Sequence, residues 1–460
     1  MPEQLLDSTT DIAAYIPPQD PLVHAALDKW QDRKLGMIVH WGPYSQWGAV
    51  ESWSLCGEDE GWCERRGPYA HDYALYKQRY EELPATFRPT RFNPEGWAKA
   101  ARQAGMRYVV FTTKHHDGFC MYDTQQTAYK VTDPACAFAT DPRADLTRHV
   151  FDAFRAEGLT AGAYFSKPDW HSDDFWWRRF PAADRHANYD LTRYPERWQR
   201  FKEFTYRQIE ELVTRYGELE MLWLDGGWVR PGRRGQDIDM ERVAAMAREH
   251  QPGLIVVDRA VRGPFQDYLT PEHEYPDEPL PYPWESCIPL GPSWYSASPD
   301  ERYKSVTDVV HMLVRIVSRG GNLLLGIGPD ATGEFVPEVY ERLAGLGRFL
   351  DVNGEAIYGT RPVAPYQRDE VYFTRAKDGR TTYAIGLLTE NSDTLPAELR
   401  LPRELGEPKR IRLLGTTSAD TTWTVDDDSI TVSLPRGRGE HAFCIALEIA
   451  PEPLEGESHR

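Results

Sequence analysis

The sequence predicts an α/β protein, a (β/α)8-like barrel followed by a C-terminal antiparallel β-sandwich. Three observations carry this. Between about residues 24 and 355, short apolar runs alternate with amphipathic stretches of helical period, which implies parallel strands joined by crossover helices. His40, Lys114, His115, His116, Asp117, Asp225 and Asp258 stand at the C-terminal ends of different predicted strands. A barrel builds its active face from strand ends around a whole ring, whereas an open doubly wound sheet favours one crevice. After Pro362 the texture changes to short β-prone runs separated by Asp, Gly, Pro and Asn, the pattern of a small sandwich. The expected domains are 1–358, the barrel with an N-terminal extension, and 359–460, the sandwich.

Each element has its own warrant. Leu35–His40 is an apolar strand stopped by Gly42-Pro43, and a helix over 94–104 has Pro94 in its first turn and Gly105 beyond its end. Arg107–Thr113 is a continuous apolar run of buried-strand type. Asp145 caps a helix that runs through Glu157 and stops at Gly158, and Leu159–Ser166 follows as a strand. A helix over 195–216 leads to strand Met221–Asp225, a helix over 239–250 to Leu254–Asp258, and a helix over 305–319 to Asn322–Ile327. The sandwich strands are expected at 371–374, 382–388, 397–401, 410–414, 421–425, 430–434 and 442–449, before a polar, frayed tail over 451–460.

A chain of 460 residues buries a large core without staples. No run approaches the ~18–20 apolar residues of a spanning helix, so no membrane association is expected. With 53 basic against 71 acidic side chains, the charge of −18 argues against a nucleic-acid partner. Six cysteines, at 56, 63, 120, 136, 287 and 444, form no C-x-x-C pair, which suits a reduced setting. Residues 1–20 lack the basic and apolar segments of a signal peptide, so a cytoplasmic location is expected. Cys56 and Cys63 are spaced to bridge or share a metal, though not as in a zinc ribbon. Nothing in the pattern specifies an oligomeric state.

The chemistry-bearing segments are few. His115 and His116 end a strand, but neighbours on a strand point to opposite faces and chelate one metal badly; two pocket contacts, or two loop ties, suit them better. Leu222-Trp223-Leu224-Asp225-Gly226-Gly227 presents a carboxylate at the end of an apolar strand, as a nucleophile, a metal ligand or a loop cap. Glu272, Glu274 and Glu285 offer a second carboxylate. Two carboxylates on separate barrel loops are what glycoside hydrolysis needs, one ionised to attack and one protonated to assist departure. Arg259 is placed to hold such a carboxylate or a sugar hydroxyl. No G-x-S-x-G elbow and no dinucleotide fingerprint is present.

Taken together, eight segments in one order resemble the α-L-fucosidases of glycoside hydrolase family 29. They are Leu35–Ser45 (LGMIVHWGPYS), Lys114–Phe119 (KHHDGF), Ala163–Ser166 (AYFS), Leu222–Gly226 (LWLDG), Val257–Arg259 (VDR), Trp284–Cys287 (WESC), Gly320–Pro329 (GGNLLLGIGP) and Asn353–Gly359 (NGEAIYG). The resemblance implies a barrel followed by a β-sandwich and a retaining, exo-acting hydrolase of terminal α-L-fucosyl linkages, with no metal and no cofactor. It implies Asp225 as nucleophile, and His40, His115, His116, Tyr164, Trp223 and Arg259 around the sugar. Glu272 lies where the family's acid/base is expected, with Glu274 and Glu285 as alternatives; Glu285 otherwise shapes the pocket wall. The family's adjacent Glu-Trp pair appears here as Glu51-Ser52-Trp53, which keeps Trp53 as a pocket residue and leaves the role of Glu51 open. The expected substrate is a fucosylated oligosaccharide or glycoconjugate. The loops Cys56–Arg66 and Lys167–His186 are elaborations of the kind that set aglycone preference. The competing readings are a glycosidase for another fuco-configured sugar such as L-galactose, a catalytically silent carbohydrate-binding barrel, and a metal-assisted hydrolase using His115, His116 and Asp225.

Overall fold

Strands that read as unbroken apolar runs have no solvent face, so both of their sides must be covered. The N-terminal sheet is built this way. The computed structural model describes residues 15–298, 300–389, 394–416, 421–437 and 439–449. Its regular elements run α1 (Pro21–Arg33), β1 (Leu35–Val39), α2 (Tyr73–Glu81), α3 (Pro94–Gln103), β2 (Tyr108–Lys114), α4 (Leu146–Ala156), β3 (Thr160–Ser166), α5 (Pro195–Arg215), β4 (Met221–Asp225), α6 (Met240–His250), β5 (Ile255–Asp258), β6 (Glu285–Pro289), α7 (Val306–Ser318), β7 (Asn322–Gly326) and α8 (Pro337–Asn353). The strands form one seven-stranded sheet in the order β5-β4-β3-β2-β1-β7-β6, all pairs parallel.

The two edge strands are joined by an irregular segment, residues 265–273. On one side it accepts from Asp258 N–H at Phe265 O (2.8 Å) and donates from Asp267 N–H to Val256 O (3.0 Å). On the other it exchanges hydrogen bonds with β6, among them Glu285 N–H to Leu269 O at 2.8 Å and His273 N–H to Cys287 O at 3.0 Å. The ring therefore closes through a stretch that is not a regular strand.

Ile38, Val110, Tyr164, Trp223, Val257 and Leu324 fill the lumen, together with Trp30 of α1 and Tyr268 of the closing segment. Trp30 lies on Tyr268 with ring centroids 4.1 Å apart, so α1 covers the end of the ring where the strands begin. Helices α3, α4, α6 and α7 start on Asn93, Asp145, Asp239 and Ser305, whose side chains accept from the third residue onward and satisfy a donor the helix leaves orphaned.

The C-terminal strands are β8 (Thr360–Arg368), β9 (Val371–Ala376), β10 (Thr381–Leu387), β11 (Glu398–Pro402), β12 (Pro408–Leu413), β13 (Trp423–Val425), β14 (Ser429–Ser433) and β15 (Ala442–Ile449). They make two antiparallel sheets, β12-β15-β10-β9-β8 and β11-β14-β13. Alternation sorts their side chains. Phe373, Ala384, Phe443, Ile445 and Leu447 pack with Leu399, Leu401, Ile430 and Val432 of the smaller sheet. Tyr372, Tyr383, Ile385, Cys444 and Ala446 join the core of the barrel instead.

The strands and helices expected in the barrel are all present, their ends shifted by a residue at most, and the C-terminal strands agree within two residues. The expected tail over 451–460 lies outside the described residues. Helices α1, α2 and α8 and strands β6 and β8 were not anticipated. Strand β6 reads as polar because it starts on Glu285, but Tyr108 and Tyr268 donate to that carboxylate and allow its burial. Strand β8 contains Pro362 and Pro365, which an edge strand tolerates. In α8, Gly345 and Gly347 depress helix propensity, yet a Cβ would stand 2.5 Å from Val306 Cγ2 and 2.2 Å from Gln103 O, respectively. These glycines let α8 press against the start of α7 and the end of α3. Gly347→Ala is accordingly expected to cost about 1–3 kcal/mol through overpacking, read as a lower denaturant midpoint with unchanged helix content. An unaltered midpoint would mean that α8 moves freely away from α3.

Candidate active site

The ends of neighbouring strands converge on Asp225, the last residue of β4, which pairs in register with Ser166 of β3. Its backbone is held from beside: Lys167 N–H donates to Asp225 O at 2.9 Å, while the Lys167 ammonium is paired with Asp258 and donates to Val229 O at 2.9 Å. Asp258 and Lys114, both placed at strand ends by the sequence, thus serve the scaffold, Lys114 through Asp169 (3.2 Å) and Gln208 (3.1 Å). Asp117 does likewise, accepting from Tyr80 OH at 2.9 Å.

Both oxygens of Asp225 are engaged. Oδ1 accepts from Arg259 Nη1 at 2.8 Å and Oδ2 from Tyr164 OH at 2.7 Å, with His116 Nε2 3.9 Å from Oδ2. The other terminal nitrogen of Arg259 donates to Glu272 Oε2. One guanidinium therefore carries both carboxylates. Burial works against charge on Asp225, but Arg259 foremost, with His116 and the Tyr164 hydroxyl, holds its carboxyl far below the usual range. Burial likewise opposes charge on Arg259, and Glu272 and Asp225 together keep it firmly protonated.

Three imidazoles face this pair. The rings of His40 and His115 lie 5.7 Å apart and those of His115 and His116 4.2 Å apart. Burial pushes His40 and His115 well below the ordinary histidine range and His116 down to about 3. They are neutral at physiological pH, each offering one donor and one acceptor nitrogen. Ser52 Oγ fixes His115 through Nδ1, whereas Nδ1 of His40 and of His116 has no hydrogen-bond partner among the described residues. Neutral imidazoles, able both to donate and to accept, suit sugar hydroxyls.

Aromatic rings complete the enclosure. Trp53 sits 5.0 Å from His116, 5.5 Å from Trp170 and 5.6 Å from Trp228. The Arg185 guanidinium covers both Trp53 (4.9 Å) and Trp228 (5.2 Å), and Trp294 flanks His40 at 5.0 Å. Trp223 stacks on Tyr164 at 5.4 Å and lies under the guanidinium of Arg259 at 5.2 Å.

His40, Trp53, His115, His116, Tyr164, Trp223, Asp225, Arg259 and Glu272 are thus brought together. Glu285 sits one layer lower, accepting from Tyr108 OH, from Tyr268 OH at 2.9 Å and from Trp223 Nε1 at 3.3 Å. It reaches the pocket through the Trp223 ring, and burial raises it to about 7. Glu274 makes no hydrogen bond or ion pair to Arg259 or Asp225 among the described residues, and its Oε1 is buried without a partner. Glu51 is buried at the site with a strained φ of 38°, raised to about 8 by burial and then by the charge of Glu272. Among the described residues, the one trio whose ligating atoms gather within 4.8 Å is Cys56, Glu58 and Cys63, away from the strand ends. Sequence reasoning did not single out Trp170, Trp228, Trp294 or Arg185. The excess of tryptophan, 15 residues, was visible, but those four lie on loops whose spacing carries no periodic signal.

A barrel that presents two carboxylates on one arginine, among neutral imidazoles and tryptophans, is a glycoside hydrolase of the two-carboxylate class. Comparison with known proteins is specific. The alpha-L-fucosidase family model matches residues 4–355, and the chain belongs to that family. Plasma alpha-L-fucosidase of Rattus norvegicus is 29% identical over 92% of this chain and 90% of its own. Alpha-L-fucosidase isoenzyme 1 of Paenibacillus thiaminolyticus superposes with a TM-score of 0.75 at 28% identity, covering 93% of this chain and 100% of that one. A family 29 alpha-L-fucosidase of Bacteroides thetaiotaomicron, solved as a trapped covalent intermediate with 2-fluoro-fucosyl fluoride, superposes with a TM-score of 0.72 at 26% identity over 94% of this chain and 97% of its own. The barrel and C-terminal sheets expected from the sequence are those of these solved structures.

The buried imidazoles set a pH dependence of stability. Each binds a proton in the unfolded chain below about 6.5 but not in the fold, so their burial costs nothing above that pH and stability falls as pH drops through it. For His116 the window extends from 6.5 down to about 3. His116→Asn is expected to flatten the slope of unfolding free energy against pH by about 1.4 kcal/mol per unit between pH 4 and 6, measured by denaturant titration. An unchanged slope would show that His116 is protonated in the folded protein.

Proposed function

We propose that the chain hydrolyses terminal α-L-fucosyl linkages with retention, Asp225 acting as nucleophile and Glu272 as acid/base. The observation that carries this reading is the shared arginine. Two carboxylates held by the terminal nitrogens of one guanidinium supply the pair that glycoside hydrolysis needs, and retention is supported by the likeness to a family 29 enzyme trapped as a covalent intermediate.

Asp225, ionised beside Arg259, attacks the anomeric carbon while Glu272 delivers a proton to the departing oxygen. The fucosyl–aspartate ester forms as the glycosidic bond breaks. Glu272, now a carboxylate, takes a proton from water, which attacks the same carbon and returns Asp225. His40, His115 and His116 bind the sugar hydroxyls, and hydrogen bonds that tighten as positive charge develops on the ring lower the barrier. Trp53 and Trp223 provide the apolar surface that a 6-deoxy sugar needs. Fucosylated oligosaccharides or glycoconjugates are the substrates this pocket suits, with the loops 56–66 and 167–186 facing the aglycone.

On 4-nitrophenyl α-L-fucoside, Asp225→Ala is expected to lower kcat by on the order of 10⁴-fold or more while remaining folded, since Arg259 keeps Glu272 as a partner. Near-normal turnover by that variant would remove Asp225 from the chemistry. Glu272→Ala is expected to lose roughly 10²–10⁴-fold on substrates with poor leaving groups and much less on the nitrophenyl glycoside. Azide should restore its turnover and yield the α-configured fucosyl azide, because the anion then attacks the covalent intermediate. The β-configured product, or rescue of Glu274→Ala or Glu285→Ala instead, would assign the roles differently.

A further inference from the structure

The wall behind Arg185 contains a second chemical feature, unrelated to the hydrolysis. Cys56 and Cys63 are both buried, and their sulfurs lie within 4.8 Å of each other. They bracket an exposed turn, residues 59–61, and Cys63 lies between exposed neighbours at 61 and 64. Within that bracket, Glu58 accepts from Arg185 Nε at 2.8 and 2.9 Å, from Arg185 Nη2, and from its backbone N–H at 3.1 Å. Gly57 meets the same opposing segment, where a Cβ would stand 2.7 Å from Ala183 O. The loop is thus clamped to the strip that carries Arg185 over Trp53 and Trp228.

We propose that Cys56 and Cys63 are a reversible dithiol–disulfide pair that staples the loop supporting this wall of the pocket. The sulfurs are adjacent in space and separated by only six residues of chain. Both oxygens of Glu58 are already committed to a guanidinium, which leaves two thiols rather than a three-ligand cation site. Proximity to Cys63 lowers the Cys56 thiol from its ordinary range, while that of Cys63 is raised. Cys56 is therefore the attacking group. Its thiolate displaces one half of a low-molecular-weight disulfide, giving a mixed disulfide and one free thiolate. Cys63, losing its proton, attacks the Cys56 sulfur and expels the other half. The two protein thiols are oxidised, the small disulfide is reduced to two thiols, and those thiols take up the two protons.

The test is to incubate the native protein with oxidised glutathione, alkylate it in denaturant, and map the peptides. The expected product links Cys56 to Cys63 with loss of both thiol hydrogens, while Cys120, Cys136, Cys287 and Cys444 are alkylated; dithiothreitol restores six alkylatable thiols. Cys63→Ser should retain a glutathione adduct on Cys56 in place of the crosslink, and Cys56→Ser should form far less adduct on Cys63. The wild-type map stands even if a serine variant fails to fold. Full alkylation of Cys56 and Cys63 after oxidation overturns the proposal. So does stoichiometric zinc in the reduced protein that is lost in Cys56→Ser, which would make the pair a metal site.

Discussion

A buried positive charge governs the site. Asp225 is buried, and burial alone drives a carboxylate to keep its proton. The guanidinium of Arg259 reverses that for Asp225 by direct contact with Oδ1. It also fixes distance, because its two terminal nitrogens are part of one rigid plane. The ionisation of Asp225 and the tether between the two carboxylates thus come from one side chain. The neighbouring rings follow from it: Trp223 packs under the guanidinium, and Tyr164, stacked on Trp223, closes the remaining oxygen of Asp225.

The histidines supply the complementary property. An array of protonated imidazoles would compete with Arg259 for the carboxylates and repel positive charge developing on the sugar. Burial keeps His40, His115 and His116 neutral, so on the proposed mechanism the cationic transition state meets the ionised Asp225 and a set of oriented dipoles. Below them Glu285 holds Trp223 from the lumen side through its indole N–H, and the tyrosines that bind Glu285 belong to β2 and the closing segment. The pocket floor and the barrel core share these side chains.

The sequence made the regular part of this architecture readable and left the irregular part obscure. Apolar strands such as Met221–Asp225 announce themselves because burial on both faces forces continuous hydrophobicity, and a carboxylate at the end of such a run stands out. Strand β6 did not, because its first residue is a buried glutamate whose stabilisation comes in part from a hydroxyl far away in the chain, Tyr108 being 177 positions distant. Helix α8 was hidden by glycines that exist for close packing and not for flexibility. At the site, residues adjoining strand ends were identifiable, including His40, His115, His116 and Arg259. Trp170, Trp228 and Arg185 were not, since a loop side chain acquires a role only when the fold brings it opposite Trp53.

The two carboxylates differ in how they are anchored. Asp225 belongs to a strand with ladder neighbours on both sides, where slipping by one residue would turn every side chain to the opposite face. Glu272 belongs to the stretch that completes the ring through scattered bridges. An inserted or deleted residue there can be taken up within the segment while its outer hydrogen bonds persist, so this carboxylate can shift along the chain without unmaking the barrel. On the proposed roles, the nucleophile is pinned to the architecture, while the acid rides on a stretch that accommodates changes in length.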